Sequence, residues 1–181
     1  MILQENQQVN IVVRGLIFKE GQLLATQWRT DGVAFGLGGR VDFGEPLLEA
    51  VGREVREETG AEITIRKLLY FGENIFSTAN GRHYHEFGWY FWVEPDREIC
   101  GLDEVIANPD HPDLVIRYFP VTEAGLSHFW PRFVARYLPD DLAQGFAHNP
   151  RHIYSRDGER SALTKLPAEM VEQTNVLFGL E

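Results

Sequence analysis

The feature that most constrains this chain is a helix with sharply marked ends, predicted over residues 46–59. Pro46 occupies the first helical position and Gly60 lies just past the end, an arrangement that is typical of helix boundaries. Apolar residues recur between them at spacings of three and four: Leu47, Leu48, Val51 and Val55. The sequence therefore predicts an amphipathic helix with one face packed on a core.

The same helix carries three carboxylates on one face. Glu54, Glu57 and Glu58 are three and four residues apart, and Arg53 lies four residues before Glu57, close enough to brace it. Like charges at this spacing destabilise a helix by roughly 0.2–0.5 kcal/mol per pair. A divalent cation would remove that repulsion, and oxygen ligands of this kind suit Mg²⁺ or Mn²⁺.

A glycine-rich turn, Gly36-Leu37-Gly38-Gly39, precedes the helix. Glycine there allows the backbone to approach a ligand closely. Glu45 stands directly before Pro46 and adds a carboxylate near the helix start, where the helix dipole favours negative charge.

Residues 39–61 resemble the signature of the Nudix hydrolases. The matching residues are, in order, Gly39, Glu45, Arg53-Glu54, Val55, Glu57-Glu58 and Gly60. Two positions depart from it. Ala61 stands where a larger aliphatic residue is usual, and Gly38 stands where proline is common. Both are packing or turn positions, so the charged chemistry is unaffected.

The resemblance implies an α/β fold, the Nudix-like α/β/α sandwich with a mixed β-sheet. It also implies hydrolysis of a diphosphate linkage with Mg²⁺ or Mn²⁺ as the cofactor. Glu54, Glu57 and Glu58 would be the catalytic metal ligands, Arg53 would orient a glutamate, and the Gly39 carbonyl would complete the metal site.

The remaining pattern fits a layered domain, because strands precede, separate and follow helices. Strands are predicted at 10–18, 22–28, 33–37, 63–70, 87–93, 114–119 and 153–155, and further helices at 121–128, 132–138 and 168–176. Lys19-Glu20-Gly21 reads as a hairpin turn with glycine in the left-handed conformation. We expect a single domain over 1–181, with its core at about 8–140 and a C-terminal extension at 141–181.

The expected reaction is attack of water on a phosphorus atom of the diphosphate. Arginines at four positions are candidates for binding the substrate's phosphates: Arg14, Arg29, Arg40 and Arg82. The general base is open between a glutamate of the helix and Glu86, which enters an aromatic strand after His83-Tyr84-His85. Four aromatic residues are conceivable partners for a base, although most such residues belong to cores: Trp28, Phe35, Phe76 and Trp89.

Composition excludes several classes. The 181 residues suffice for one well-buried domain. The net charge of -10 argues against nucleic acid as a partner, because such binding needs a basic surface. The single cysteine, Cys100, excludes an internal disulfide framework. No secretory signal or bilayer-length apolar run is visible, so we expect a cytoplasmic protein without membrane contact.

We therefore expect a Mg²⁺- or Mn²⁺-dependent hydrolase that cleaves a nucleoside diphosphate linked to another moiety. ADP-ribose, a nucleotide sugar, a dinucleoside polyphosphate and a (deoxy)nucleoside triphosphate are the substrates considered. The alternative is a catalytically inactive relative that binds nucleotides as a sensor. The expected partner is a small nucleotide, and a homodimer is left open.

Overall fold

The computed structural model describes residues 4–156 and 162–164, which form nine strands and two helices. In chain order these are β1 (Gln7–Lys19), β2 (Gln22–Trp28), β3 (Ala34–Gly36), α1 (Leu47–Thr59), β4 (Ile63–Ser77), β5 (His83–Pro95), β6 (Ile106–Ala107), β7 (Leu114–Pro120), α2 (Arg132–Ala143), β8 (Arg151–Arg156) and β9 (Ala162–Thr164).

The strands form a mixed sheet in the order β6-β7-β2-β1-β5-β4-β8-β9, with β3 paired to β2. β1 runs parallel to β5 from the Gln7–His83 pair to the Leu16–Trp92 pair. Its last residues instead pair antiparallel with β2. β4 is antiparallel to β5 and parallel to β8. The predicted mixed sheet is confirmed.

The two helices cover opposite faces of this sheet. α1 buries Ala50, Val51 and Val55 in one core, and α2 buries Phe133, Val134 and Leu138 in the other. Side chains alternate along each strand, so neighbouring residues of β1 contribute to different cores: Leu16 belongs to the α2 core and Ile17 to the α1 core. The α/β/α sandwich is therefore confirmed.

The ends of α1 agree with the sequence prediction. The helix starts after Pro46, and Gly60 adopts the left-handed conformation with φ 70° while its N–H bonds to the Arg56 carbonyl at 2.7 Å. The β1–β2 turn is also as predicted, because Gly21 is left-handed with φ 74°.

Two helix predictions need correction. Residues 121–128 form successive turns, in which Leu126 N–H bonds to Thr122 and Phe129 N–H bonds to Leu126. The chain must turn here because the His128 carbonyl accepts the N–H of Ala34, which joins this segment to β3. The helix predicted over 132–138 extends to Ala143 and passes through Pro139.

The β4–β5 hairpin is longer than predicted, and its exposed tip lies at residues 78–82. β8 and β9 extend the sheet from the segment expected to be a C-terminal extension. The helix predicted over 168–176 lies outside the described residues. In the part of the chain that the structure describes, no helix is long and apolar enough to span a bilayer.

Candidate functional site

The glycine turn lies along β1, on the edge that β2 leaves free. Val13 N–H bonds to the Gly39 carbonyl at 3.0 Å, and Gly15 N–H bonds to the Leu37 carbonyl at 2.7 Å. Gly38 has φ 129°, and a Cβ there would lie 3.1 Å from the Arg14 Cα, so only glycine fits this path.

Gly39 also allows the Glu54 side chain to approach. A Cβ on Gly39 would lie 2.6 Å from the Glu54 carboxylate carbon, too close for any real contact. The carboxylate therefore packs directly against the backbone of the turn. Burial raises the pKa of Glu54, and Arg53 opposes that shift.

Arg53 joins the carboxylates of the helix to the loop before it. Its Nε and Nη2 donate to the two oxygens of Glu45 at 2.8 and 2.9 Å, and Nη1 donates to Glu54 and Glu57 at 3.0 Å each. Nη2 also donates to the carbonyl of Arg40 at 3.1 Å. These hydrogen bonds lower the pKa of Glu45. The structure thus places Arg53, the residue predicted to orient a glutamate, in contact with three of them.

Glu58 is the most enclosed of the three glutamates, with 5% of its surface exposed. Its carboxylate accepts the Gly38 N–H at 2.8 Å, the Asn108 amide at 3.1 Å and the Thr26 hydroxyl at 3.3 Å. Burial raises its pKa to about 7, with the Gly38 N–H and Asn108 acting in the opposite direction. Sequence reasoning missed Thr26 and Asn108, which come from β2 and from the loop before β7 and share no motif with the helix.

The donor set fits a hard divalent cation. The Glu54 and Glu57 oxygens bond to one nitrogen of Arg53, so they are no further apart than twice the 3.0 Å length of those bonds. The Gly39 carbonyl accepts one hydrogen bond and keeps a second lone pair. Among the described residues, no three acidic, histidine or cysteine side chains already form a metal-ligand group, and Glu58 bonds to protein donors instead.

Two of the four predicted arginines lie at this turn. Arg14 donates to the Gly36 carbonyl at 3.2 Å and to that of Gly38, and its guanidinium lies 5.1 Å from the centre of the Phe35 ring. Its charge lowers the pKa of both Glu54 and Glu58. Arg40 continues the turn as a bridge partner of Val12.

The other two arginines lie elsewhere. Arg29 follows β2, where its N–H bonds to the Asp113 carbonyl at 3.0 Å. Arg82 is exposed in the tip of the β4–β5 hairpin, six residues before Gly88, the residue of β5 that pairs with Val12. The structure therefore does not bring Arg29 or Arg82 to the glycine turn.

Glu86 lies in β5 between Asn10 of β1 and Asn74 of β4. It shares the α2 face of the sheet with Tyr90 because strand residues alternate. Burial raises its pKa, while the nearby charges of Arg14 and Arg40 and a hydrogen bond to Asn10 lower it. Arg14 thus stands between Glu86 and the carboxylates of α1.

The neighbouring histidine does not join this arrangement. His85 faces the opposite side of the sheet, where its Nε2 lies 2.8 Å from Glu73. His83 is exposed, and its Nδ1 lies 2.9 Å from the Ser77 hydroxyl oxygen, so each of these two histidines contacts a side chain of β4.

Residues 7–140 match the family model described as the NUDIX domain. The chain also resembles the solved structure of a MutT protein from Bacillus halodurans, with 17% identity and a TM-score of 0.62, over 87% of this chain and 99% of that one. A NUDIX hydrolase from Nitrosomonas europaea gives 17% identity and a TM-score of 0.52, over 82% and 79%. A UDP-X diphosphatase shows 18% identity and a TM-score of 0.51, over 82% of this chain and 68% of that one. No curated protein sequence matches the chain. At these identities, the structural likeness concerns the fold.

Proposed function

Because the chain belongs to the Nudix family of pyrophosphohydrolases, we propose that it hydrolyses the diphosphate linkage of a nucleoside diphosphate joined to another group, with Mg²⁺ or Mn²⁺. The observation that carries the proposal is the Arg53 network. One guanidinium holds Glu45, Glu54 and Glu57 while Glu54 packs against Gly39. A charged helix that only faces solvent would not need its glutamates to be held by one arginine against a glycine turn.

Glu54, Glu57, Glu58 and the Gly39 carbonyl would hold the metal. When bound, it would neutralise phosphate charge and lower the pKa of the attacking water. Glu58 would have to exchange a hydrogen bond from Gly38 or Asn108 for the metal. These four residues supply only oxygen ligands, which favours Mg²⁺ or Mn²⁺ over softer metals.

The remaining groups bind the phosphates and accept the proton. Arg14 and Arg40 lie beside the turn and would donate to phosphate oxygens. Water attacks one phosphorus, the bond from that phosphorus to the bridging oxygen breaks, and two phosphorylated products leave. Glu86 would take the water's proton, because its burial raises its pKa and it lies near both arginines.

A substrate panel tests this function. Purified protein with Mg²⁺ is given ADP-ribose, a nucleotide sugar, a dinucleoside polyphosphate and nucleoside triphosphates, and the phosphorylated products are quantified. We expect turnover of at least one class, and chelation should abolish it. Binding of these nucleotides without turnover of any would contradict the proposal and favour the nucleotide-sensing alternative.

Charge-neutral variants test the site. Glu57→Gln and Glu58→Gln should remove most activity while the melting temperature shows that each protein is folded. Glu62→Gln is the matched control, because Glu62 lies just beyond the same helix and its side chain forms an exposed ion pair with Arg56. Full activity in both site variants would contradict the metal assignment.

A further inference from the structure

Three aromatic side chains lie together on the α2 face of the sheet. The Phe76 and Tyr84 rings stack with centroids 5.1 Å apart and an interplanar angle of 18°, and the Trp130 ring meets Phe76 edge-on at 5.5 Å. We call these three residues the aromatic platform. Trp130 is 38% exposed, so part of its ring is open to solvent.

The aromatic platform borders the site described above. Phe76 and Tyr84 are partners in the β4–β5 register, and the next pair on the same face is Asn74 with Glu86. Two residues of a strand span about 7 Å, so the rings lie one side-chain position from Glu86. On the other side, Trp130 N–H bonds to the Ala34 carbonyl, one residue before the Phe35 ring that lies against Arg14.

A buried polar group lies beside the aromatic platform. Asn74 is 1% exposed, and its side-chain oxygen accepts a hydrogen bond from Ser155 at 2.6 Å. Its Nδ2 is buried and has no hydrogen-bond partner within the described part of the chain. Since buried donors are normally paired, an unused donor on the same face as the partly exposed Trp130 points to a ligand.

We propose that the aromatic platform is the nucleobase subsite, with the base stacked on Trp130 and an acceptor on its edge facing Asn74. The diphosphate of the same ligand then reaches Arg14 and Arg40 at the glycine turn. This inference rests on the proposed function, because it assigns the base of that substrate. Aromatic stacking tolerates every base, whereas the donor of Asn74 adds preference for a base that presents an acceptor there.

Binding measurements separate base contacts from phosphate contacts. ADP and inorganic pyrophosphate, each with Mg²⁺, are titrated into the full chain by calorimetry. Trp130→Ala should weaken ADP binding roughly 5- to 150-fold, the range found when an aromatic ring that stacks on a base is replaced by alanine. It should leave pyrophosphate within twofold, because pyrophosphate has no base. Trp130→Phe should retain most of the ADP affinity.

Tryptophan fluorescence gives a second readout. ADP should quench the wild-type emission and pyrophosphate should not, and in Trp130→Phe the quenching should disappear while binding persists. Ile11→Ala is the control, because Ile11 is another exposed apolar side chain, 46% exposed, that lies on the opposite face of β1 from Asn10 and Arg14. It should bind both ligands normally.

The subsite is overturned if Trp130→Ala weakens ADP and pyrophosphate equally, if it weakens neither, or if the wild-type protein does not bind ADP. These results are independent of hydrolysis. Base-dependent binding without turnover of any substrate would contradict the proposed function and keep the subsite. Turnover of a substrate together with normal ADP affinity in Trp130→Ala would contradict the subsite and keep the proposed function.

Discussion

Arg53 donates hydrogen bonds to three glutamates at once, and the planar shape of its guanidinium group makes this possible. A planar guanidinium reaches both oxygens of Glu45 on one side and Glu54 and Glu57 on another. Lysine carries the same charge on one rotating ammonium group and cannot reproduce this fork. The conserved charge in an Arg53→Lys variant would therefore not preserve the geometry.

We expect Arg53→Lys to lower activity or metal affinity about 10- to 100-fold, the usual cost of losing a residue that orients metal ligands. Titrating Mg²⁺ against the initial rate measures the change, which should include a higher half-saturating concentration. Arg56→Lys is the matched control because Arg56 forms only an exposed pair with Glu62. Equal behaviour of the two variants would contradict the orienting role.

The raised pKa of Glu58 predicts how the unfolding free energy of the metal-free protein depends on pH. Its pKa is raised to about 7 in the folded protein, against an ordinary value of 4.5. Between these values the folded state binds more protons than the unfolded state, so stability falls as pH rises from about 4.5 to 7. The loss should be on the order of 1–3 kcal/mol.

Urea unfolding in chelator at several pH values measures this dependence. In Glu58→Gln the decline over that window should be much smaller, because the amide does not titrate. An unchanged decline in Glu58→Gln would show that another group is responsible.

The sequence predicted Arg53 and Glu58 as site residues but gave no indication of the residues that surround Glu58. A helix face follows from local spacing, whereas Thr26 and Asn108 reach this carboxylate only through the pairing of β2 with β7. Of the four arginines proposed from chain position, the structure brings Arg14 and Arg40 to the turn, since only these two are near the 11–15 stretch of β1.

At the scale of elements, the glycine turn and α1 act as one unit, which two alanine substitutions test. Gly39→Ala places a methyl group 2.6 Å from the Glu54 carboxylate carbon, so the helix or the turn must move. We expect most activity to be lost. A Cβ on Gly52 of α1 meets nothing within 4 Å.

Gly52→Ala should therefore retain activity and stabilise the helix by about 0.5–1 kcal/mol, because alanine has the higher helix propensity. Rates and thermal melts of both variants provide the measurement. Normal rates in Gly39→Ala would contradict the close packing of the turn on Glu54.

The elements that were predicted well are those whose ends the chain marks locally. Pro46 and Gly60 bound α1, and Gly21 marks the first hairpin. Residues 121–128 have helical spacing, but their pairing with β3 prevails over it. The helix predicted over 132–138 continues through Pro139 to Ala143, and Asp141 in this added turn accepts the hydroxyl of Tyr70, a partner distant in sequence.

At the scale of the whole molecule, Asp141 connects three elements. It is 2% exposed, accepts the Tyr70 hydroxyl at 2.8 Å and pairs with Arg151, whose Nε lies at 3.0 Å. α2, β4 and β8 thus meet at one carboxylate. No sequence pattern indicates this network, since its members come from well-separated parts of the chain.

Asp141→Ala would leave Arg151 as a largely buried cation without its carboxylate. We expect a loss of about 3–5 kcal/mol of unfolding free energy, the typical result of removing one member of a buried pair. Asp140→Ala, at the exposed neighbouring position, should change stability by no more than about 0.5 kcal/mol. Denaturant unfolding compares them, and similar losses in both would contradict the network.

The position of β5 has a consequence for the order in which this enzyme can be assembled. β5 is translated after β1 and β4, yet it lies between them in the sheet. A nascent chain that has emerged only as far as the hairpin tip at 78–82 carries every acidic residue of α1 but lacks the strand that joins β1 to β4. Only when residues 83–95 have left the ribosome and paired with both strands can Glu86 and the acidic helix form the proposed catalytic centre.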